Sequence, residues 1–489
     1  MLKKATYLLL LVALVGYFAA LKACNTVPAM IGEASEPSPL PVIDHNQHPF
    51  LAESQRSSMH GGAHNWDINT YPGPLGHNTI AKHRKFSNII GVAPNISFDS
   101  QGRLITVSIK LNSIELHLLD PETLDTIAML ELPPKASPSD NSGGGYFHID
   151  AQDRVLLAPA NDTLSIYEIA ESPEGPKWQL AQQYEIEGLL PEGVNIHDVI
   201  PDWRGNLWFV TGGAYLGYRD QNTGKFYTYE LPAEGETIQN SFAVDEEALY
   251  VASTDAIYQF QIDAETKEPH YTWREDYDNG AVQKPGTLSH GSGTSPTLMG
   301  DDLVAIADDG DPFTNIVVYK KSASIEGERL ICKVPLFEKG KSATENSLLV
   351  YGNAMVVQND YGHVYTGNAL KRAPGIMRVD GREDRSGCDV VWHNKNFLSQ
   401  SLPRLSTQTG LLYFYTFQKQ APDDFFGGWY LSAVDWDTGE SLWDRLIGRR
   451  TGSMVDTLSS VTAPIVLGPN GAAYAGIRTG VIMAKDEAL

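Results

Sequence analysis

Five oxygen-bearing side chains, Asn95, Asp198, Asn240, Glu345 and Asn346, are the residues of this chain best suited to hold a hard cation. Calcium takes six to eight oxygens in loose geometry, and a ring of amides and carboxylates meets that need. His148 and His197 add imidazoles that could act as a general base in hydrolysis or elimination. His197 and Asp198 are sequence neighbours, so on a strand they point to opposite faces and form no dyad by themselves. Tyr146, Ser295, His290 and Arg404 complete the set as candidate ligand contacts. Long stretches of sequence separate these residues. They become one site only if a repeating architecture returns the chain to the same place many times.

Such a repeat is written most clearly in Leu431–Trp443. Alternation with period two predicts a strand, Asp-Thr-Gly predicts a tight turn, and a second strand runs into Trp443, whose flat ring suits a gap between sheets. Equivalent turns fall at Gly102, Asp153, Gly205, Glu247, Asp302, Asn353, Gly410 and Gly471. Their spacing, about 42 to 61 residues, suits four-stranded blades with variable loops. Amphipathic helical stretches are nearly absent. The expectation is an all-β chain forming a single β-propeller of four-stranded antiparallel blades, eight by the best count, with seven also fitting. Counting seven residues back from each turn gives the column Asn95, Tyr146, Asp198, Asn240, Ser295, Asn346, Pro403 and Pro464. His197 and Glu345 sit one position earlier. Innermost strands begin at the mouth of the central channel, so this column predicts a polar ring there. The ring holds a ligand or metal in one reading. In the other, its Asn and Ser side chains satisfy backbone groups that a narrow axis leaves unpaired.

The blade signature resembles the PQQ-type repeat of the quinoprotein-like propellers, best in Leu431–Gly448, in Ala463–Gly476, and in Thr294–Asp302. That superfamily includes quinoprotein alcohol dehydrogenases and a lipoprotein scaffold of outer-membrane barrel assembly. The resemblance implies the fold and says little about activity. Quinone enzymes often carry adjacent cysteines beside PQQ, and this chain has no such pair, so PQQ is not the expected cofactor. Lactonases and esterases of the paraoxonase and gluconolactonase type use a similar axial Asn/Asp/Glu ring on calcium. Their six blades depart from the count here, so their activity is not carried over.

The chain has 489 residues, 42% of them hydrophobic, and a formal net charge of −23, which disfavours nucleic acid as a partner. Met1-Leu2-Lys3-Lys4 followed by an apolar run to Leu21 predicts a signal peptide or N-terminal anchor over 1–24. Leu21-Lys22-Ala23-Cys24 resembles a bacterial lipoprotein box, making Cys24 the lipidation candidate. Lys22 departs from the pattern, and an uncleaved anchor is the alternative. Residues 25–58, Pro- and Ser-rich in Ala34–Pro49, form a tether, and 59–489 the propeller, closed by its N-terminal segment. The Gly-, His- and Trp-rich Ser58–Trp66 either completes the last blade, the favoured expectation, or lies across the channel mouth with His60 or His64 over a ligand. Cys332 and Cys388 occupy similar places in consecutive repeats, as a disulfide or as two thiols. Asp308-Asp309-Gly310-Asp311 has the look of a calcium turn but lacks the later ligands, so an exposed acidic turn is expected.

These features point first to an exported, membrane-anchored propeller in the periplasm or on the cell surface. It would meet the membrane through its N-terminus only and bind a small molecule or an envelope protein at its central channel face. The alternative is a calcium-dependent hydrolase or lyase acting on a lactone or ester. A PQQ-dependent dehydrogenase ranks last.

Overall fold

The computed structural model describes residues 27–487 apart from 44–45, 58, 136–142, 162, 187, 364–371, 400, 420–426, 451–455 and 461–462. The N-terminal apolar run and Cys24 lie outside the described residues.

Eight antiparallel sheets form a ring of blades. We number blades 1 to 8 by their innermost strands, Ile96–Phe98, Phe147–Ile149, Ile196–Pro201, Ala243–Val244, Thr297–Met299, Leu349–Tyr351, Arg404–Ser406 and Ile465–Leu467. These strands are almost wholly buried. Outer strands such as Lys177–Glu185 are mostly exposed, with Trp178 the one buried side chain. Aspartates set the turns. Asp99, Asp150 and Asp202 each accept two backbone N–H groups in the first turn of their blades. Asp120, Asp220, Asp263 and Asp435 do the same between third and fourth strands, each with a Thr three residues on. This is the Asx turn, in which a short side chain stands in for backbone. Gly439, at φ 72°, closes the turn of the Leu431–Trp443 unit, a conformation glycine adopts at no steric cost.

Trp443 is 1% exposed and packs with Leu411, Tyr413, Ile465 and Leu467, bridging blades 7 and 8 as its sequence context suggests. Thr79–Lys85 pairs with Gly480–Asp486 to supply the outermost strand of blade 8, so the ring is closed by the two ends of the chain. Asp486 holds that join, accepting the N–H groups of Leu75, Gly76 and His77 and the Thr79 hydroxyl. Farther upstream, Met30–Gly32 adds a strand to the outside of blade 7.

Met59–Trp66 does not complete a blade, contrary to the favoured expectation; that strand comes from Thr79–Lys85. Met59–Trp66 instead enters the hub. The innermost strand of every blade presents an edge to the axis, and residues 48–57 and 59–69 run along these edges. His48 Nε2 bonds Pro201 O, Ala52 N–H reaches Ile149 O, and the carbonyls of Ala63, His64 and Trp66 accept from Val244, Leu298 and Val350. Ile68 pairs in parallel with Leu405, and the Asn69 amide reaches Leu467 O. Blade 1 is met through Ser97, whose hydroxyl bonds Arg56 O. All eight blades touch this one segment.

The outer strands of blades 5 and 6 are joined by a Cys332–Cys388 disulfide, with Cα atoms 5.9 Å apart. The Asp308–Asp311 turn is not the exposed acidic turn expected. Asp308 and Asp309 are buried because two lysines neutralise them, Lys333 on Asp308 at 2.9 Å and Lys284 on Asp309 at 3.2 Å.

Candidate functional site

The hub mouth where the inner strands begin gathers a polar network from four blades. His148 Nε2 lies 2.8 Å from Asp198 Oδ1, and the Ser241 hydroxyl donates to Asp198 Oδ2 at 2.5 Å. Asp198 also accepts the N–H of Val199. Burial pushes the Tyr146 phenol up, and neighbouring Asp198 adds to the effect, so the phenol stays protonated; Ser241 and Ser295 hydrogen-bond it. His148 Nδ1 is buried without a protein partner among the described residues.

A β-bulge at His197 explains the placement of Asp198. Ile196 pairs with Thr211 and Asp198 with Val210, leaving His197 as the extra residue. His197 turns toward Gly212, where a Cβ would meet its ring at 2.5 Å. It does not join Asp198; His148 on the neighbouring blade does.

Beside this network lies a carboxyl cluster on blade 6. Asp360 Oδ2 accepts Asn346 Nδ2 at 2.7 Å and the Glu345 N–H at 3.0 Å. Burial raises the Asp360 carboxyl. Glu345 accepts the Leu288 N–H at 2.7 Å. Its carboxyl is pushed up to about 8, first by burial and then by the charges of Asp360 and Asp309. Asp309, which feels His290, is raised to about 6 by burial despite Lys284.

The remaining candidates make hydrogen bonds within and between blades. Asn95 gives its amide to Phe147 O, and Asn240 reaches Ser292 O at 3.5 Å. The Ser295 N–H donates to Ser347 Oγ. Arg404 is wholly buried. It ties the hub segment in place through Asp67 Oδ1 at 3.3 Å, Ile465 O and Met59 O. Asp67 in turn meets His60 Nδ1 at 3.2 Å, and the His60 ring lies 6.2 Å from that of Tyr146.

The polar column is therefore only partly a ring, and turn length is the reason. Five residues separate the paired ends Phe98 and Leu104 in blade 1. Four separate Val244 and Leu249, three separate Met299 and Leu303, and two separate Tyr351 and Ala354. A fixed count back from the turn slides by one residue in blades 4 and 5 and by two in blade 6. Matched by strand pairing, the column reads Asn95, Tyr146, Asp198, Ser241, Pro296, Leu348, Pro403 and Pro464. Polarity is concentrated on blades 1 to 4. Ser241 rather than Asn240 is the partner of Asp198, a correction available from the shorter Asp245–Ala248 turn. Asp67 and Asp360 carry no sequence signal of their own. Among the described residues no three His, Cys, Asp or Glu side chains converge as metal ligands.

No family model matches the chain. An uncharacterized protein of Archaeoglobus fulgidus is 29% identical over 335 residues, covering 61% of this chain. The chain thus spans 63% of the length of that curated relative. Among solved structures, BamB from Moraxella catarrhalis aligns with TM-score 0.46 and 12% identity over 83% of this chain and 98% of that one. The WD40 domain of SCAP from fission yeast gives 0.46 and 11% over 83% and 97%. A catalytically inactive virginiamycin B lyase from Staphylococcus aureus, with quinupristin, gives 0.39 and 12% over 75% and 98%. The propeller itself rests on the strand pairing described above.

Proposed function

We propose that this chain is an exported, membrane-anchored propeller of the quinoprotein-like kind, in a binding or scaffold role. It would receive a small molecule or an envelope protein at the hub mouth formed by Tyr146, Asp198 and Glu345. The wiring of Asp198 carries the reading. The Ser241 hydroxyl directs its proton at the same carboxylate that takes His148, so the imidazole has no hydroxyl to activate as a nucleophile. The network is built to hold shape and present polar groups. The filled hub supports the same view, since it leaves the rims for contact. Export is supported by the Cys332–Cys388 bridge, a bond that persists in oxidising compartments, and by the basic-then-apolar start of the sequence.

A calcium-dependent hydrolase or lyase is the second reading. Glu345 favours it, because a carboxyl raised to about 8 could give or take a proton near neutral pH. A quinone-dependent dehydrogenase is weakest, with no adjacent cysteines in the chain. Elemental analysis and thermal melts with and without EDTA separate the first two. Binding or scaffolding predicts a melting temperature indifferent to EDTA, with N240A/N346A lowering it equally in both buffers. Stoichiometric calcium and a melting temperature that EDTA lowers in the parent alone overturn that reading. Mass spectrometry of the mature N-terminus tests export and lipidation together.

A further inference from the structure

The opposite face of the ring, where the inner strands end, carries a cleft of about 850 Å³. Its walls are the first turns of blades 3 to 6, and Ile43 and Asn46 of the N-terminal segment form one side. Trp66 and Trp203 line it, with Tyr250 beneath. The Trp66 indole N–H is spent on Leu298 O at 2.8 Å, and its ring, 6% exposed and met by the His64 ring at 4.5 Å, adds only a narrow strip of apolar surface to the cleft. A smaller hollow of about 230 Å³ adjoins it and shares Trp203 and the Asp245–Glu247 turn.

Charge in the cleft is unevenly settled. Asp245 is neutralised by Lys321 at 2.7 Å, and Asp302 by Arg385 at 2.7 Å. Glu246 bonds only the neutral Asn46 amide, at 2.9 Å. Among the described residues no cationic side chain pairs with Glu246, Glu247 or Asp301, and all three are exposed. Three unneutralised carboxylates thus rim a hollow whose wall includes the half-buried Trp203, itself packed against His64. Indole faces attract cations through the ring quadrupole, and partly desolvated cations gain most. Anions are repelled there, and a neutral apolar ligand would leave the carboxylates unused.

We propose that this cleft binds an organic cation with an extended apolar stem, an alkylammonium or a guanidinium group. The stem lies against Trp203, and the charged head is taken by Glu246, Glu247 and Asp301. Two sources supply that chemistry, a free polyamine or the Lys and Arg side chains of a partner segment. The site lies on the face away from Asp198 and Glu345, so it stands or falls independently of the hub-mouth reading.

Titration calorimetry of the whole protein tests it with two probes, spermidine and a capped lysine–leucine–arginine tripeptide. The same tripeptide with glutamine at both basic positions is the control. Binding is expected with at least one cationic probe and not with the control, and it should weaken about tenfold or more in E246Q/E247Q/D301N. It should weaken also between about 0.05 M and about 0.5 M salt, as exposed charges require. These three residues are exposed, so the variant is expected to fold, and its circular dichroism verifies that. W203A, expected to weaken binding while leaving the salt dependence intact, separates stacking from charge. Spermidine alone binding identifies a free amine as the source; the tripeptide binding more tightly identifies a partner segment. Neither probe binding more tightly than about 1 mM, or the triple variant binding as the parent does, overturns the proposal.

Discussion

Glu345 offers the most direct test of the hub-mouth electrostatics. In the unfolded chain its carboxyl loses its proton at the ordinary 4.5, whereas in the fold it keeps it to about 8. Between those values the folded state binds more protons than the unfolded state, so raising the pH favours unfolding. The interval of about 3.5 pH units corresponds to at most about 4.8 kcal/mol at about 1.36 kcal/mol each. Glu345 keeps some contact with water, which screens part of this, and about 2–4 kcal/mol is the expected loss between pH 4.5 and 8. E345Q keeps an oxygen for the Leu288 N–H and removes the titration. Asp309, whose carboxyl is raised in the same direction, remains in both proteins. The difference between variant and parent therefore isolates Glu345. Urea unfolding from pH 4.5 to 9 should show E345Q matching the parent at the acid end and exceeding it by about 2–4 kcal/mol above pH 8. Parallel curves across the whole range would refute the argument, because Glu345 would then ionise in the fold as it does in the open chain.

Two further perturbations probe the scaffold. The Cys332–Cys388 bridge closes a loop of 56 residues, which by chain entropy stabilises by about 4 kcal/mol; C332S/C388S should lose that much in denaturant, and a loss below about 1 kcal/mol refutes the estimate. R404M strands the buried Asp67 carboxylate and should cost about 3–5 kcal/mol, part of which D67N restores; additive losses in the double variant would mean the two side chains act separately.

The ring of blades was legible because its signals are local. Asp120, Asp220, Asp263 and Asp435 each fix a turn within four residues, and apolar-rich strands such as Gly427–Asp435 are buried along almost their whole length. The hub was legible only in part. A polar column was visible, but the position of each member depends on turns that vary from five residues to two, and that variation moves Asn240 and Asn346 out of register. The course of Met59–Trp66 was hidden for a different reason. Asn65 bonds Phe242 and Pro296, 177 and 231 residues away, and no local pattern encodes partners so distant. The disulfide needed the one quantity a sequence withholds, the separation of the two Cα atoms.

The contacts of Asn65 and Arg404 also order events in time. Residues 59–69 precede the blades they bind, so their partners on blades 4 to 8 emerge from the ribosome only later, from about the middle of the chain onward. Until Gly480–Asp486 arrives to receive Thr79–Lys85, the nascent protein is an open arc with a bare inner edge and a loose leader. Slow, late maturation follows, along with a long interval in which the leader is open to proteases.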